Sequence, residues 1–144
     1  MLPELSDRAI DTMIECFTAC PASLSELALE HLHGAVTRVG VNETAFPHRT
    51  EGYNFLVLAQ WTDKAGTDGC LAWARSSYAA MTPFMGASRY VNYLDHDDAG
   101  DQVTAAYGSN YRRLREVKAT YDPSNLSHMN QNIGRSAEGP DRFG

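Results

Sequence analysis

The chain has 144 residues, enough for a domain with a real core, and its 43% hydrophobic and 21% charged content is that of an ordinary globular protein. Eighteen acidic against twelve basic residues give a net charge of −6, which argues against a nucleic-acid or anionic-membrane surface. No segment approaches the roughly 20 apolar residues of a membrane span, and Met1-Leu2-Pro3-Glu4 lacks the basic start and apolar run of a signal peptide, so the expectation is a cytoplasmic protein.

Ser6 is a candidate N-cap, followed by Asp7 in the first turn, where the helix dipole favours an acid. Ile10, Met13, Ile14 and Phe17 recur at helical spacing, which predicts an amphipathic helix over 7–19 with that stripe as core, ending before Pro21. Cys16 and Cys20 sit one turn apart where that region is helical, and with Cys70 they make an odd set without a Cys-x-x-Cys pattern, read as small apolar groups in a reducing compartment. From Leu24 to Leu32 the pattern is open: Leu24, Leu27, Ala28 and Leu32 fit a helix, whereas Leu27, Leu29 and His31 fit an alternating strand. His31 and His33 share a strand face, but no third ligand stands at a recognisable spacing for zinc. Gly34 marks a bulge or bend, after which 35–39 reads as a continuing extended run.

Pro47 forces an extended or turning backbone on its neighbours, so His48 and Arg49 either line a pocket or, in the case of Arg49, tie down a loop. Tyr53 to Trp61 is the clearest strand, apolar on both faces and therefore expected inside a covered sheet. Thr67 or Asp68 can cap the next helix, on which Leu71, Ala74, Tyr78 and Met81 form one stripe before Pro83 stops it. The stretch 89–95 is polar on both sides when read as a strand, with Tyr90, Asn92 and Leu94 on one face and Val91, Tyr93 and Asp95 on the other. His96 to Asp101 is an acidic loop without calcium-loop spacing. A last helix runs from about Val103 to Thr120, with Tyr107, Tyr111, Leu114, Lys118 and Tyr121 along its buried or partly buried face, until Asp122-Pro123 ends it. Beyond Gly134 the composition predicts a frayed end.

Four ordered motifs, YVNYLD at 90–95, AYGSNYRRL at 106–114, KATYDPSNL at 118–126 and NQNI at 130–133, resemble the C-terminal signature of the berberine-bridge-enzyme-like flavoprotein oxidases. TAFPHR at 44–49 and the strand ending Leu58-Ala59-Gln60-Trp61 resemble the substrate-binding half of the same family, especially its bacterial members. The resemblance covers nearly the whole chain, yet nothing here corresponds to that family's N-terminal flavin-binding half. At 127 and 128 the chain departs from the pattern, with Ser127 and His128 where members commonly carry an aromatic and an arginine.

The resemblance favours a strand for 24–32 and implies an α+β fold, an antiparallel sheet covered by helices. The sheet takes segments near 25–40, 53–61 and 88–95, and the helices lie near 7–19, 68–82 and 103–120. It divides the chain into a partial substrate-binding domain at 1–101, a berberine-bridge-type helix and tail at 102–134, and a disordered tail at 135–144. It implies FAD as cofactor, Tyr93 as the base, Tyr90 and Asn92 at the flavin, and His48 and Arg49 toward a small-molecule substrate. A partial sheet exposes an edge, so a flavin-binding partner chain or a homodimer is expected to cover it. The alternative is a flavin-free protein on the same fold that binds or isomerises a small molecule, or serves as an interaction module.

Overall fold

The computed structural model describes residues 1–94, 101–129 and 131–134. Asp95, the acidic loop apart from the backbone of its last residue, Asn130 of the NQNI motif and the tail beyond Gly134 lie outside the described residues. The chain forms two compact units, one of Met1–Gly34 with Thr50–Ala87, the other of Ala35–Arg49 with the described residues from Ser88 onward.

In the first unit, helix α1 spans Asp7–Thr18, and its N-cap is Ser6, whose Oγ accepts from the Ala9 N–H at 3.3 Å. Strands β1, Glu26–Leu32, and β2, Gly52–Leu58, pair antiparallel with Glu26 opposite Leu58 and Leu32 opposite Gly52. Ser25 locks the end of the ribbon: its hydroxyl donates to the Gln60 carbonyl at 3.1 Å and accepts from the Gln60 N–H at 2.9 Å. Leu2 bridges to the other side of β2 by exchanging two backbone hydrogen bonds with Tyr53. A 3-10 turn at Lys64–Gly66, capped by Asp63, leads into helix α3, Thr67–Met81. Leu2, Ala9, Phe55 and Met81 make the core, joined by Met13, Leu27, Leu29 and Val57. Burying a side chain the size of Leu, Phe or Met contributes about 1.5–3 kcal/mol.

Both helical stripes sit differently from the sequence expectation. On α1, Ala9 and Met13 face the core, while Ile10, Ile14 and Phe17 are 41%, 59% and 57% exposed. On α3 the buried line is Cys70, Trp73, Ser77 and Met81, and Leu71 and Tyr78 are exposed. Cys70 and Ser77 obey the same helical spacing as the expected stripe and are small. Close packing between helices rewards a small side chain where two backbones approach, which hydropathy alone does not register. Trp73 confirms the contact by donating its indole N–H to the Cys16 carbonyl of α1 at 2.8 Å. Neither Thr67 nor Asp68 caps α3: Gly66 is the N-cap, and the Thr67 hydroxyl accepts from the Trp61 indole instead.

The second unit begins with a one-turn helix α2, Ala35–Arg38, where an extended run was expected. Gly34, at φ +65°, supplies the left-handed residue that turns the chain out of β1. The described part of the expected third strand, 88–94, is not a strand. Val91–Tyr93 is a 3-10 turn between the extended residues Tyr90 and Leu94, so the sheet has two strands among the described residues. The expected last helix is broken in two, α4 at Asp101–Tyr107 and α5 at Tyr111–Tyr121, with a 3-10 turn at Gly108–Asn110 between them. Gly108 takes φ +52°, and Tyr121, placed on the buried face by periodicity, is 84% exposed. The expectation of helices with a small antiparallel sheet holds at the level of fold class.

Candidate functional site

All five residues singled out in the sequence belong to the second unit, carried by the TAFPHR loop and the 3-10 turn at 91–93. A 3-10 turn brings residues three apart onto one side, so Tyr90 and Tyr93, which a strand would send to opposite faces, meet edge to face with centroids 5.4 Å apart. The Asn92 amide donates to the Tyr90 hydroxyl at 2.8 Å. Asn92 is exposed and Tyr93 is 47% exposed, so this polar, aromatic edge is open to a ligand.

The TAFPHR loop packs its rings against the turn. Phe46 meets Tyr90 edge-on at 5.4 Å and His48 at 5.1 Å, and His48 meets Tyr90 at 6.4 Å. His48 is only 8% exposed. It donates a ring N–H to the backbone carbonyl of Arg89. Burial disfavours its charged form, the Arg49 charge adds to that, and together they hold the imidazole below its ordinary pKa against the opposing Arg89 bond. Its Nε2 has no hydrogen-bond partner among the described residues.

Arg49 is committed to the loop. It donates to the Val36 carbonyl at 2.9 Å and to the Thr44 hydroxyl, and its guanidinium lies over the Phe46 ring, 5.0 Å from the centroid. Of the two roles open to it in the sequence, the loop-tying one is present in the geometry.

Two residues that periodicity left on a helix face also belong here. Asn110, buried between α4 and α5, donates to the carbonyls of Val41 at 2.7 Å and Thr44 at 3.0 Å, and thereby holds the start of the loop. Tyr107 stacks with Tyr111 at 6.3 Å, and burial, with Tyr90 adding, pushes its phenol above the ordinary pKa. The break at Gly108 was the available signal, since an Asn two residues past a helix-interrupting Gly is placed to cap and bridge. The tail returns to this unit: Gln131 donates to the Leu94 carbonyl at 3.1 Å, and the Tyr111 hydroxyl accepts from the Gly134 N–H at 3.2 Å. Among the described residues no group of three or more His, Cys, Asp or Glu is arranged to hold a metal ion, and no helix is long and apolar enough to cross a membrane.

Residues 89–134, which include the tyrosine turn, match the family model described as "Berberine and berberine like". The FAD-linked oxidoreductase YvdP of Bacillus subtilis, described as uncharacterized, is 37% identical over 102 residues, which is 69% of this chain and 22% of that protein. Tetrahydroberberine oxidase of Berberis wilsoniae is 29% identical over 125 residues, 76% of this chain and 24% of the relative. Berberine bridge enzyme from Eschscholzia californica shares the fold at a TM-score of 0.83 and 23% identity, over 96% of this chain and 32% of that one. The chain spans about a quarter of the length of the two relatives compared by sequence.

Proposed function

We propose that this chain, which matches the berberine and berberine-like family model at 89–134 and is similar to an FAD-linked oxidoreductase, is the substrate-side part of an enzyme that oxidises a small hydroxyl-bearing organic molecule. The observation that carries the reading is the exposed turn inside the matched region, where Tyr90, Asn92 and Tyr93 stand on one edge. Tyr93 is the base, Tyr90 and Asn92 contact the flavin, and His48 faces the substrate side. Further flavin contacts come from polypeptide outside these 144 residues, whether of the same protein or of a partner chain. The outer edge of β1, which has no neighbouring strand among the described residues, pairs with that polypeptide or with a second copy.

The residues fit such a cofactor: a half-exposed phenol ring beside a fixed amide and hydroxyl offers both a stacking face and hydrogen-bonding groups to a flat heteroaromatic ring. FAD, when bound, supplies the acceptor for the hydride that leaves the substrate carbon. Tyr93 takes the hydroxyl proton on its phenolate oxygen, which requires its pKa, ordinarily about 10, to be brought toward neutrality by a nearby cation or hydroxyl donor.

Visible absorption of the purified chain and titration with free FAD, followed by flavin fluorescence, test the reading. Saturable quenching that is lost in the Tyr90→Ala, Asn92→Ala double variant is the expected result. A colourless protein that leaves FAD fluorescence unchanged would remove these residues from a flavin site and favour the flavin-free binding protein.

A further inference from the structure

His48 and Tyr90 carry complementary, unmatched hydrogen-bonding groups. With Nε2 unpartnered, the ring N–H that His48 gives to the Arg89 carbonyl is on Nδ1. In a neutral imidazole protonated at Nδ1, Nε2 bears only a lone pair. That lone pair is buried and receives no hydrogen bond from any described residue. Tyr90 presents the converse group: its oxygen accepts from Asn92 at 2.8 Å, which leaves the phenolic proton to be given away, and no hydrogen bond among the described residues takes it. The two rings face each other edge-on at 6.4 Å, without a direct hydrogen bond. A buried lone pair that no protein donor reaches, next to a hydroxyl with a proton to give, is a place where a water can bridge the two.

We propose that one water joins the Tyr90 hydroxyl to the buried His48 Nε2, making His48 a positioning residue that orients the Tyr90 hydroxyl. The hydrogen bonds then run from Asn92 to Tyr90, through the water to His48, and from His48 to the carbonyl of Arg89, the residue directly before Tyr90. The network starts and ends on the tyrosine turn and ties the TAFPHR loop to it. Its consequence for catalysis, which rests on the oxidase reading, is that the Tyr90 proton is committed to this network and the substrate proton goes to Tyr93.

The network is tested without flavin or substrate, on the 15N-labelled chain, by long-range proton–nitrogen correlation of the histidine rings. Expected for His48 are a protonated Nδ1 and an Nε2 resonance upfield of a free lone pair, moving downfield in Tyr90→Phe while Nδ1 stays protonated. A proton on Nε2, or an Nε2 resonance that Tyr90→Phe leaves in place, overturns the proposal. His48→Asn provides a second reading, because an asparagine amide can still donate to the Arg89 carbonyl but lacks the Nε2 acceptor. With circular dichroism unchanged, the Tyr90 hydroxyl proton is expected to exchange with solvent at least about tenfold faster in this variant, and an unaltered exchange rate counts against the water bridge. A failure of the chain to bind FAD, measured separately, removes Tyr90 and Asn92 from a flavin site and leaves these resonances as they are.

Discussion

Tyr90 and Tyr93 meet edge to face with centroids 5.4 Å apart, a contact that requires the chain between them to turn. The turn places the Tyr93 phenol, half exposed, beside a hydroxyl held by Asn92. On the proposed oxidase reading, Tyr93→Phe in the flavin-loaded protein is expected to lower kcat/KM by about 10²–10⁴, the usual contribution of a positioned base, with the flavin spectrum retained. Steady-state kinetics on the variant decides it, and turnover within about twofold of wild type would take the base assignment away from Tyr93.

The indole of Trp73 gives α1 and α3 a specific polar link, to the carbonyl of Cys16 in the last turn of α1. Trp73→Phe keeps an aromatic ring but leaves that carbonyl without its donor. A loss of about 1–3 kcal/mol is expected from the missing bond and the trimmed ring, read as a lower urea midpoint at unchanged slope.

Gly52 lies where the Leu2 bridge crosses β2, and a Cβ built on it would stand 2.6 Å from the Leu2 carbonyl oxygen. The obstacle is backbone, which has little room to yield because Leu2 is bonded to Tyr53 in both directions. Gly52→Ala is therefore expected to destabilise the first unit by about 1–3 kcal/mol. Hydrogen exchange at the Leu2 and Tyr53 amides should rise with it; protection at wild-type level would show that the crossing tolerates a methyl group.

Two groups predict how stability depends on pH. Burial, with Arg49 adding, lowers the folded-state pKa of His48 below 6.5, so on acidification the unfolded chain takes up that proton first. Stability from this source is complete above pH 6.5, falls as the pH drops from 6.5 toward the folded-state value, and levels off beneath it. Asp122 accepts from the Lys118 ammonium and from the Ser127 and Leu126 N–H groups, which hold its carboxyl at about 2 against 3.8 in the free side chain. Its contribution is present above pH 3.8 and is lost as the pH falls from 3.8 to about 2. Thermal midpoints across this range should show both limbs, with His48→Asn flattening the upper and Asp122→Asn the lower. Profiles parallel to wild type in both variants would contradict the assignments.

Local signals were legible wherever one residue type has one physical use. Ser6 caps α1, Pro83 follows the end of α3 in a 3-10 turn, and Asp122 closes α5, each as its chemistry requires. The strand character of 53–58 was equally plain from its apolar residues on both faces. What misled was periodicity without a partner. Alternation at 89–95 is compatible with a strand only if another strand lies alongside to take its N–H and C=O groups, and among the described residues none does. The stripe Ile10, Ile14, Phe17 has the right spacing for a buried face, but burial is decided by what packs on the helix, and α3 packs on the neighbouring face.

The sequence by itself determined the helical character of α1, α3 and α5, the strand β2, the Ser6 cap and, through its ordered motifs, the α+β class and the resemblance to the FAD-linked oxidoreductases, because those depend on short-range chemistry and on order along the chain. Tertiary structure alone decided that 35–49 and the described residues from Ser88 onward build one unit, that Arg49 spends its guanidinium on its own loop, that Asn110 holds that loop in place, and that His48 is buried with one nitrogen unmatched. These are relations between residues tens of positions apart, and a side chain's partner, charge state and exposure are properties of its surroundings that no local pattern encodes.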